Sequence, residues 1–178
     1  MNTGRRKLNM ITIDGCVATI HVESKRHGHV EILIDASMVE KVCDYTWCVK
    51  KGHNGLYAST EAKKPDGGGA KLYIHHLIVG KPPTGYVTDH ISRDALDNRS
   101  ANLRIVTKQS NHFNTSARGY YWDKFHGKYQ ARIKFNGKRT FLGYYDTAEE
   151  ARAAYNDAKP VHHVIVELGN ETTTPAAQ

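Results

Sequence analysis

Cysteine is scarce in this chain of 178 residues. Cys16, Cys43 and Cys48 are odd in number and show no C-x-x-C pair, so a disulfide framework does not fit and a reducing compartment does. They are expected as buried thiols. Cys43, Cys48, His75 and His76 match zinc-ligand spacings poorly. Long apolar runs are missing as well. No stretch approaches the roughly 18 residues of a membrane span, and the N-terminus lacks a signal-peptide core. Arg5-Arg6-Lys7 reads instead as a solvated basic arm. Acidic residues are outnumbered, 18 against 25 basic, which gives a formal net charge of +7 and a pI near 9.3. Eleven histidines add positive charge below neutral pH. That balance points to a polyanionic partner, with nucleic acid ahead of an acidic membrane, and leaves the fold open. Tryptophan and phenylalanine are few, but tyrosine occurs ten times and suits a surface that packs on one side and meets phosphate or base on the other.

The length allows one ordinary domain or two small ones, and the pattern of elements is that of an α+β chain. A β-rich segment is expected over 1–71. It opens with a hairpin from Ile11 to Val22 around Asp14-Gly15, followed by a strand over Val30 to Ile34. Asp35-Ala36-Ser37 can open a short helix. Trp47 to Val49 and Leu56 to Ser59 read as strands, with Trp47 and Tyr57 expected to fill the core. Lys63 to Gly69 reads as a flexible loop. The apolar run Leu72 to Val79 is too short to decide between strand and helix. After the Pro82-Pro83-Thr84-Gly85 turn the order is strand (Tyr86 to Ile91), long polar loop, strand (Leu103 to Val106), and a helix capped by Thr107 and running to about Asn114.

That order carries the chemistry. Asp89 and His90 end the first strand, Asn102 opens the second, and Asn111 lies one turn into the helix. Adjacent strand residues point to opposite faces, so a twist or bulge is needed to bring Asp89 and His90 to one site. Asp89 and Asn111 offer oxygen ligands, which favour Mg²⁺ or Mn²⁺ over a soft metal. His90 can act as a general base near neutral pH if a neighbour holds its other ring nitrogen, a role Asn102 is near enough to fill. Asn98 reads as a turn cap. Arg99 and Arg104 can bind phosphate or brace the loop, and His75 can contact phosphate or pack as a hydrogen-bonded histidine.

The motifs Ile74-His75-His76-Leu77, Val87-Thr88-Asp89-His90, Leu96-Asp97-Asn98-Arg99, Asn102-Leu103-Arg104-Ile105-Val106-Thr107 and Gln109-Ser110-Asn111 resemble the HNH nucleases of the ββα-metal fold, in particular phage and intron-encoded homing endonucleases. The resemblance covers about 72–114. It implies that Asp89 and Asn111 bind the metal, His90 activates water and Asn102 orients His90. Asn111 stands where other branches of the family use His, and a slip of one residue would make His112 the helix ligand instead.

After a linker at 115–119, the segment 120–170 reads as a three-stranded antiparallel sheet packed on one helix. Tyr129, Ala131, Ile133 and Phe135 share one strand face, and Gln130, Arg132 and Lys134 the other. Asn136-Gly137 marks a hairpin. Thr147 to Glu150 has capping-box spacing and opens a helix expected to run to about Ala158 and stop at Pro160. Seven basic residues between Arg118 and Phe141 face Asp123 alone. A strand pair of this kind can enter a DNA major groove.

The motifs Arg118-Gly119-Tyr120-Tyr121-Trp122, Gly127 to Ile133, Phe141 to Tyr145 and Thr147 to Tyr155 are similar to the Apetala/ethylene-response-factor DNA-binding domain. Tyr129 stands where that family has Trp, so base preference does not carry over. The resemblance implies DNA contacts by Arg118, Trp122, Lys124, Arg132, Lys134 and Arg139, to which Arg104 is added from the first site. Residues 171–178 are expected to be a frayed tail.

The expected protein is therefore an Mg²⁺- or Mn²⁺-dependent endonuclease acting on double-stranded DNA. It would be a homing-type enzyme of phage or bacterial origin, cytoplasmic in its host cell, with no membrane and no obligate protein partner. It would act as a monomer that nicks one strand or as a homodimer. The rival expectation is a non-catalytic, sequence-specific DNA-binding regulator. An RNA-directed module is a poorer third, because no RNA-module motif is present.

Overall fold

A computed structural model describes residues 7–52, 55–63 and 69–168. The chain divides into two compact units, Met1–Val106 and Thr107–Gln178, and the class is α+β, built from small antiparallel sheets and short helices. The division falls earlier than the linker expected at 115–119, so the helix carrying Asn111 belongs to the second unit.

In the first unit, strands β1 (Met10–Asp14), β2 (Val17–Ser24) and β3 (Gly28–Asp35) form a meander in that order. Strict alternation explains it. Ala18, Ile20 and Val22 on β2 and Val30, Ile32 and Ile34 on β3 are all buried, while the residues between them face outward. Fully burying side chains of this size stabilises by about 1.5–3 kcal/mol each. The reversal between β1 and β2 needs a left-handed residue, which Gly15 supplies at φ 57°. Helix α1 (Val39–Val42) follows a 3₁₀ turn over Ala36–Met38. A second meander, β4 (Cys48–Gly52), β5 (Gly55–Lys63) and β6 (Gly69–Tyr73), adds Val49 and Ala58 to the same core. Trp47 sits in that core with its indole N–H donating to the Val42 carbonyl at 3.0 Å. The ambiguous run 72–79 is both things: it completes β6 at Tyr73 and then turns into helix α2 (Ile74–Val79), which ends at left-handed Gly80.

Strands β7 (Tyr86–His90) and β8 (Leu103–Thr107) pair as a ribbon. The loop between them is fastened to β3, whose outer edge no strand covers. The Leu33 N–H donates to the Leu96 carbonyl at 2.9 Å, the Asn98 N–H donates to the Leu33 carbonyl at 2.7 Å, and Ser100 donates its N–H and hydroxyl to one Asp35 oxygen. The N-terminal sheet thus has a task that its sequence did not reveal. It supplies the edge that shapes the loop after His90.

The second unit begins with helix α3 (Lys108–Phe113), capped by Thr107, whose hydroxyl oxygen accepts the Ser110 N–H. Strands β9 (Tyr120–Asp123), β10 (Lys128–Phe135) and β11 (Lys138–Tyr145) follow, with β10 central, and helix α4 (Ala148–His162) packs against β10. Asn136 and Gly137 make the hairpin with φ of 47° and 79°. Ala131, Ile133, Ala151 and Tyr155 form the sheet–helix contact. Gly119 admits the Tyr155 ring: a Cβ there would lie 1.9 Å from it, and φ is +76°.

Two expectations need correction here. Helix α4 continues through Pro160 to His162, because a proline so near the C-terminal end removes only one intrahelical bond and the His163 N–H closes the turn on the Lys159 carbonyl at 2.7 Å. The thiols are free but not buried. Cys16 and Cys48 are exposed and Cys43 is half-buried, because Cys48 alternates between inward Trp47 and Val49. Gln130 is buried although it lies on the face of Arg132 and Lys134, since Tyr121 and Tyr144 stand beside it on the neighbouring strands. The basic arm, apart from Lys7, most of the Lys63–Gly69 loop and the tail lie outside the described residues. Among the described residues no helix is long and apolar enough to cross a membrane.

Candidate active site

His90 closes β7 and is buried. Its Nε2 lies 3.2 Å from Oδ1 of Asn98, a fully buried side chain. The Asn98 amide cannot be turned around, because its Nδ2 donates to the carbonyls of Ala95 at 3.3 Å and Leu96 at 3.0 Å. Oδ1 must therefore accept, and the proton of the neutral imidazole resides on Nε2. The ring's lone pair is then on Nδ1. A base with a defined tautomer is the arrangement general-base chemistry requires.

Asn102 does a different job from the one its spacing suggested. Its Oδ1 accepts the Ser92 N–H at 2.8 Å, its Nδ2 donates to the Asp97 carbonyl at 2.7 Å, and its carbonyl accepts the Ile91 N–H at 2.9 Å. It staples the two ends of the loop and touches the His90 ring with none of these groups. The amide that meets the His90 ring is that of Asn98. A turn cap and a ring-orienting amide have the same sequence appearance, so the reading of Asn98 as a cap missed this role.

Asp89 is buried beside the Arg104 guanidinium, which reaches Oδ2 with Nε at 2.9 Å and Nη2 at 2.8 Å. Arg104 therefore braces the carboxylate. Arg99 braces too: it forms a two-pronged pair with Asp97 at 2.8 and 2.7 Å, and its guanidinium holds that carboxyl below its ordinary range. Neither arginine stands alone as a phosphate contact.

An aromatic group surrounds His90. Ring centroids of Tyr57 and His75 lie 6.3 and 5.4 Å from it, both edge-on, and His75 stacks on Tyr73 at 5.3 Å. Burial, with His76 and His90 alongside, pushes the His75 imidazole down to about 3, so it is neutral at any physiological pH. Burial also raises the Tyr57 hydroxyl, with the neighbouring Tyr73 and Asp89 adding to it. Tyr57, expected in the core, is instead part of this group. Its alternation with buried Ala58 was the available signal.

Asn111 and His112 lie on α3 in the second unit, where Asn111 is half-buried and His112 exposed. On the open face of that unit's sheet, Arg132 lies over the Tyr121 ring at 5.3 Å and stands opposite Phe141, while Lys134 stands opposite Arg139. Gln130, Arg132, Arg139, Phe141 and Tyr144 line a shallow cavity there, and Gln130 Oε1 has no hydrogen-bond partner. Lys124 projects from the β9–β10 turn, and Arg118 is exposed ahead of β9. Trp122 does not join this face. It stands opposite Tyr129, with ring centroids 4.8 Å apart, on the side of the sheet that carries α4.

Residues 72–113 match the HNH endonuclease family. This segment contains His90, Asn98, Asn102, Asp89 and Arg104. An uncharacterized HNH endonuclease of Acanthamoeba polyphaga mimivirus is 35% identical over 119 residues, covering 65% of this chain and 61% of that protein. The chain thus spans about three fifths of the length of this curated relative. No solved structure matches it at a significant level.

Proposed function

We propose that the protein is a metal-dependent DNA endonuclease of the HNH type, with a ββα-metal centre in the matched segment. The observation that carries this reading is the pair formed by His90 and Asn98. A buried imidazole is held in one tautomer by an amide that is itself locked, at the position where the family resemblance calls for a general base.

By the same resemblance Asp89 and Asn111 would hold the metal. A carboxylate and an amide oxygen are hard donors that fit Mg²⁺ or Mn²⁺, and a bound ion would offset charge on the phosphate and the departing oxygen. His90 takes the proton of the attacking water at Nδ1 and keeps its own proton on Nε2, shared with Asn98. Asn102 preserves the loop that carries Asn98. Arg104 fixes the Asp89 carboxylate. Tyr57 and neutral His75 shield the imidazole from bulk water without placing a charge beside it.

The second unit serves as a duplex-DNA contact of the Apetala/ethylene-response-factor kind, through Arg132, Lys134 and Arg139 with Lys124 and Arg118 at the margin. Arg132 and the partnerless Gln130 oxygen are the groups on that face suited to base edges. A homing-type enzyme with one such centre nicks one strand, and a double cut needs two copies. The Asp89–Arg104 pair favours one other reading, a DNA-binding regulator that keeps the nuclease-like segment as scaffold.

Conversion of supercoiled plasmid to open circles in Mg²⁺ or Mn²⁺, abolished by a chelator, is the outcome expected of the enzyme. DNA binding without cleavage, and no Mn²⁺ uptake in a titration, is the outcome expected of the regulator.

A further inference from the structure

The tripeptide His-Val-Glu occurs on both arms of the β2–β3 hairpin, as His21-Val22-Glu23 and His29-Val30-Glu31. Antiparallel register sets His21 opposite Glu31 and Glu23 opposite His29. Alternation sends Val22 and Val30 into the core and all four polar side chains to the outer face. His21 Nδ1 lies 3.4 Å from His29 Nε2 and 3.8 Å from Glu31 Oε1, and His29 Nε2 lies 3.5 Å from the same oxygen. These atoms form a nearly equilateral triangle. Ligands about 2.0–2.1 Å from zinc in a tetrahedron are roughly 3.3–3.4 Å apart, so a small closure of the triangle fits the ion.

The remaining ring nitrogens are already engaged. His29 Nδ1 lies 2.7 Å from Glu23 Oε1, and a carboxylate only accepts, so the proton is on Nδ1 and the neutral ring's lone pair on Nε2 faces the triangle. His21 Nε2 lies 2.9 Å from the Thr12 hydroxyl, which can accept from it or donate to it; where the hydroxyl accepts, the Nδ1 lone pair of His21 faces the triangle as well. A carboxylate behind a histidine is the arrangement that orients metal-bound imidazoles. What lies among the triangle's atoms is either a proton on His21 Nδ1, donated to His29 Nε2, or a metal ion.

We propose that the outer face of the β2–β3 hairpin is a metal site for Zn²⁺ or a similar borderline divalent ion, with His21 Nδ1, His29 Nε2 and Glu31 Oε1 as ligands. Glu23 and Thr12 hold the rings, and water takes the fourth position. Nitrogen donors select against Mg²⁺, so Mg²⁺ serving the Asp89 segment does not fill it. The site shares no residue with that segment and is independent of the nuclease reading. His29 and Glu31 are open to solvent, so the ion can enter the folded chain. Bound there, it ties β2 to β3, the strand that holds the loop bearing Asn98.

The test is a titration of the full chain, stripped of metal and kept in excess Mg²⁺, with Co²⁺ and then Zn²⁺. One equivalent of Co²⁺ should give the intense visible absorption of four-coordinate cobalt, which Zn²⁺ then displaces. Only the His21 and His29 ring signals should shift in ¹H–¹⁵N spectra, and Zn²⁺ should raise the thermal midpoint by about 5 °C. His29→Ala should abolish binding, Glu31→Gln should weaken it, and Glu23→Gln should weaken it about 10–100-fold. Glu31→Gln changes an exposed side chain and keeps its shape, so it reads binding even where the alanine variant misfolds. No cobalt band, a band unchanged in Glu31→Gln and His29→Ala, or shifts at other histidines would overturn the site and leave only a shared proton.

Discussion

Asn98 Oδ1 lies 3.2 Å from His90 Nε2, and the Asn98 amide is anchored behind it by the carbonyls of Ala95 and Leu96. If this contact sets the tautomer, Asn98→Ala should lower the nicking rate by about 10²-fold or more while DNA affinity is kept. Stability should fall by about 1–3 kcal/mol because buried polar groups are left unpaired. Nicking at the wild-type rate would show that Asn98 only supports the loop.

Arg104 and Asp89 form a largely buried ion pair, and removing one partner takes that compensation from the other's charge. Arg104→Leu should cost about 3–5 kcal/mol in urea unfolding. Arg104→Lys should recover only part of that, because an ammonium cannot reproduce the guanidinium's two-pronged grip. A loss below about 1 kcal/mol in Arg104→Leu would mean the pair is solvated.

His75 sets a pH dependence. Its imidazole is pushed down to about 3 in the folded chain, against 6.5 when free. Between those values the unfolded chain binds the additional proton, so stability is full above pH 6.5 and declines as pH falls toward 3. The slope from one such group approaches about 1.4 kcal/mol per pH unit. His75→Phe keeps a ring for Tyr73 and removes the titration. Its unfolding free energy should fall less steeply between pH 6.5 and 5 than that of the wild type, and equal slopes would show that His75 does not stay neutral.

The basic face should bind DNA through phosphate. Lys134→Ala and Arg139→Ala should each weaken duplex binding and reduce the slope of log K against log salt by about one. Anisotropy titrations across a salt series give that slope. Trp122→Phe should leave it unchanged, since Trp122 belongs to the α4 side of the sheet.

Much of the fold was legible because its signals are local. Alternation in β2, β3 and β10, the Asp14-Gly15 and Asn136-Gly137 turns, and the Thr147 capping box each depend on neighbours within a few residues. The Asp89–His90 pair was legible as well, because the linked motifs around it are specific. Contacts that join distant stretches were hidden. Nothing in the local pattern says that Leu33 on β3 fastens Leu96 and Asn98, or that Tyr57 turns toward His90. Asn98 and Asn102 are alike in type and nearly adjacent, so which amide meets the imidazole is decided only by the path of the loop. The sheet face of Trp122 was hidden for a related reason. Its parity on β9 is fixed by pairing with Tyr129, which a four-residue strand does not announce.

The most direct measurement compares wild-type chain and His90→Ala for plasmid nicking in Mg²⁺ and for duplex binding under the same conditions. A fall of about 10²–10⁴-fold in nicking with affinity unchanged is the predicted result. Equal cleavage by the two proteins would contradict a base at His90, and with it the account of the site.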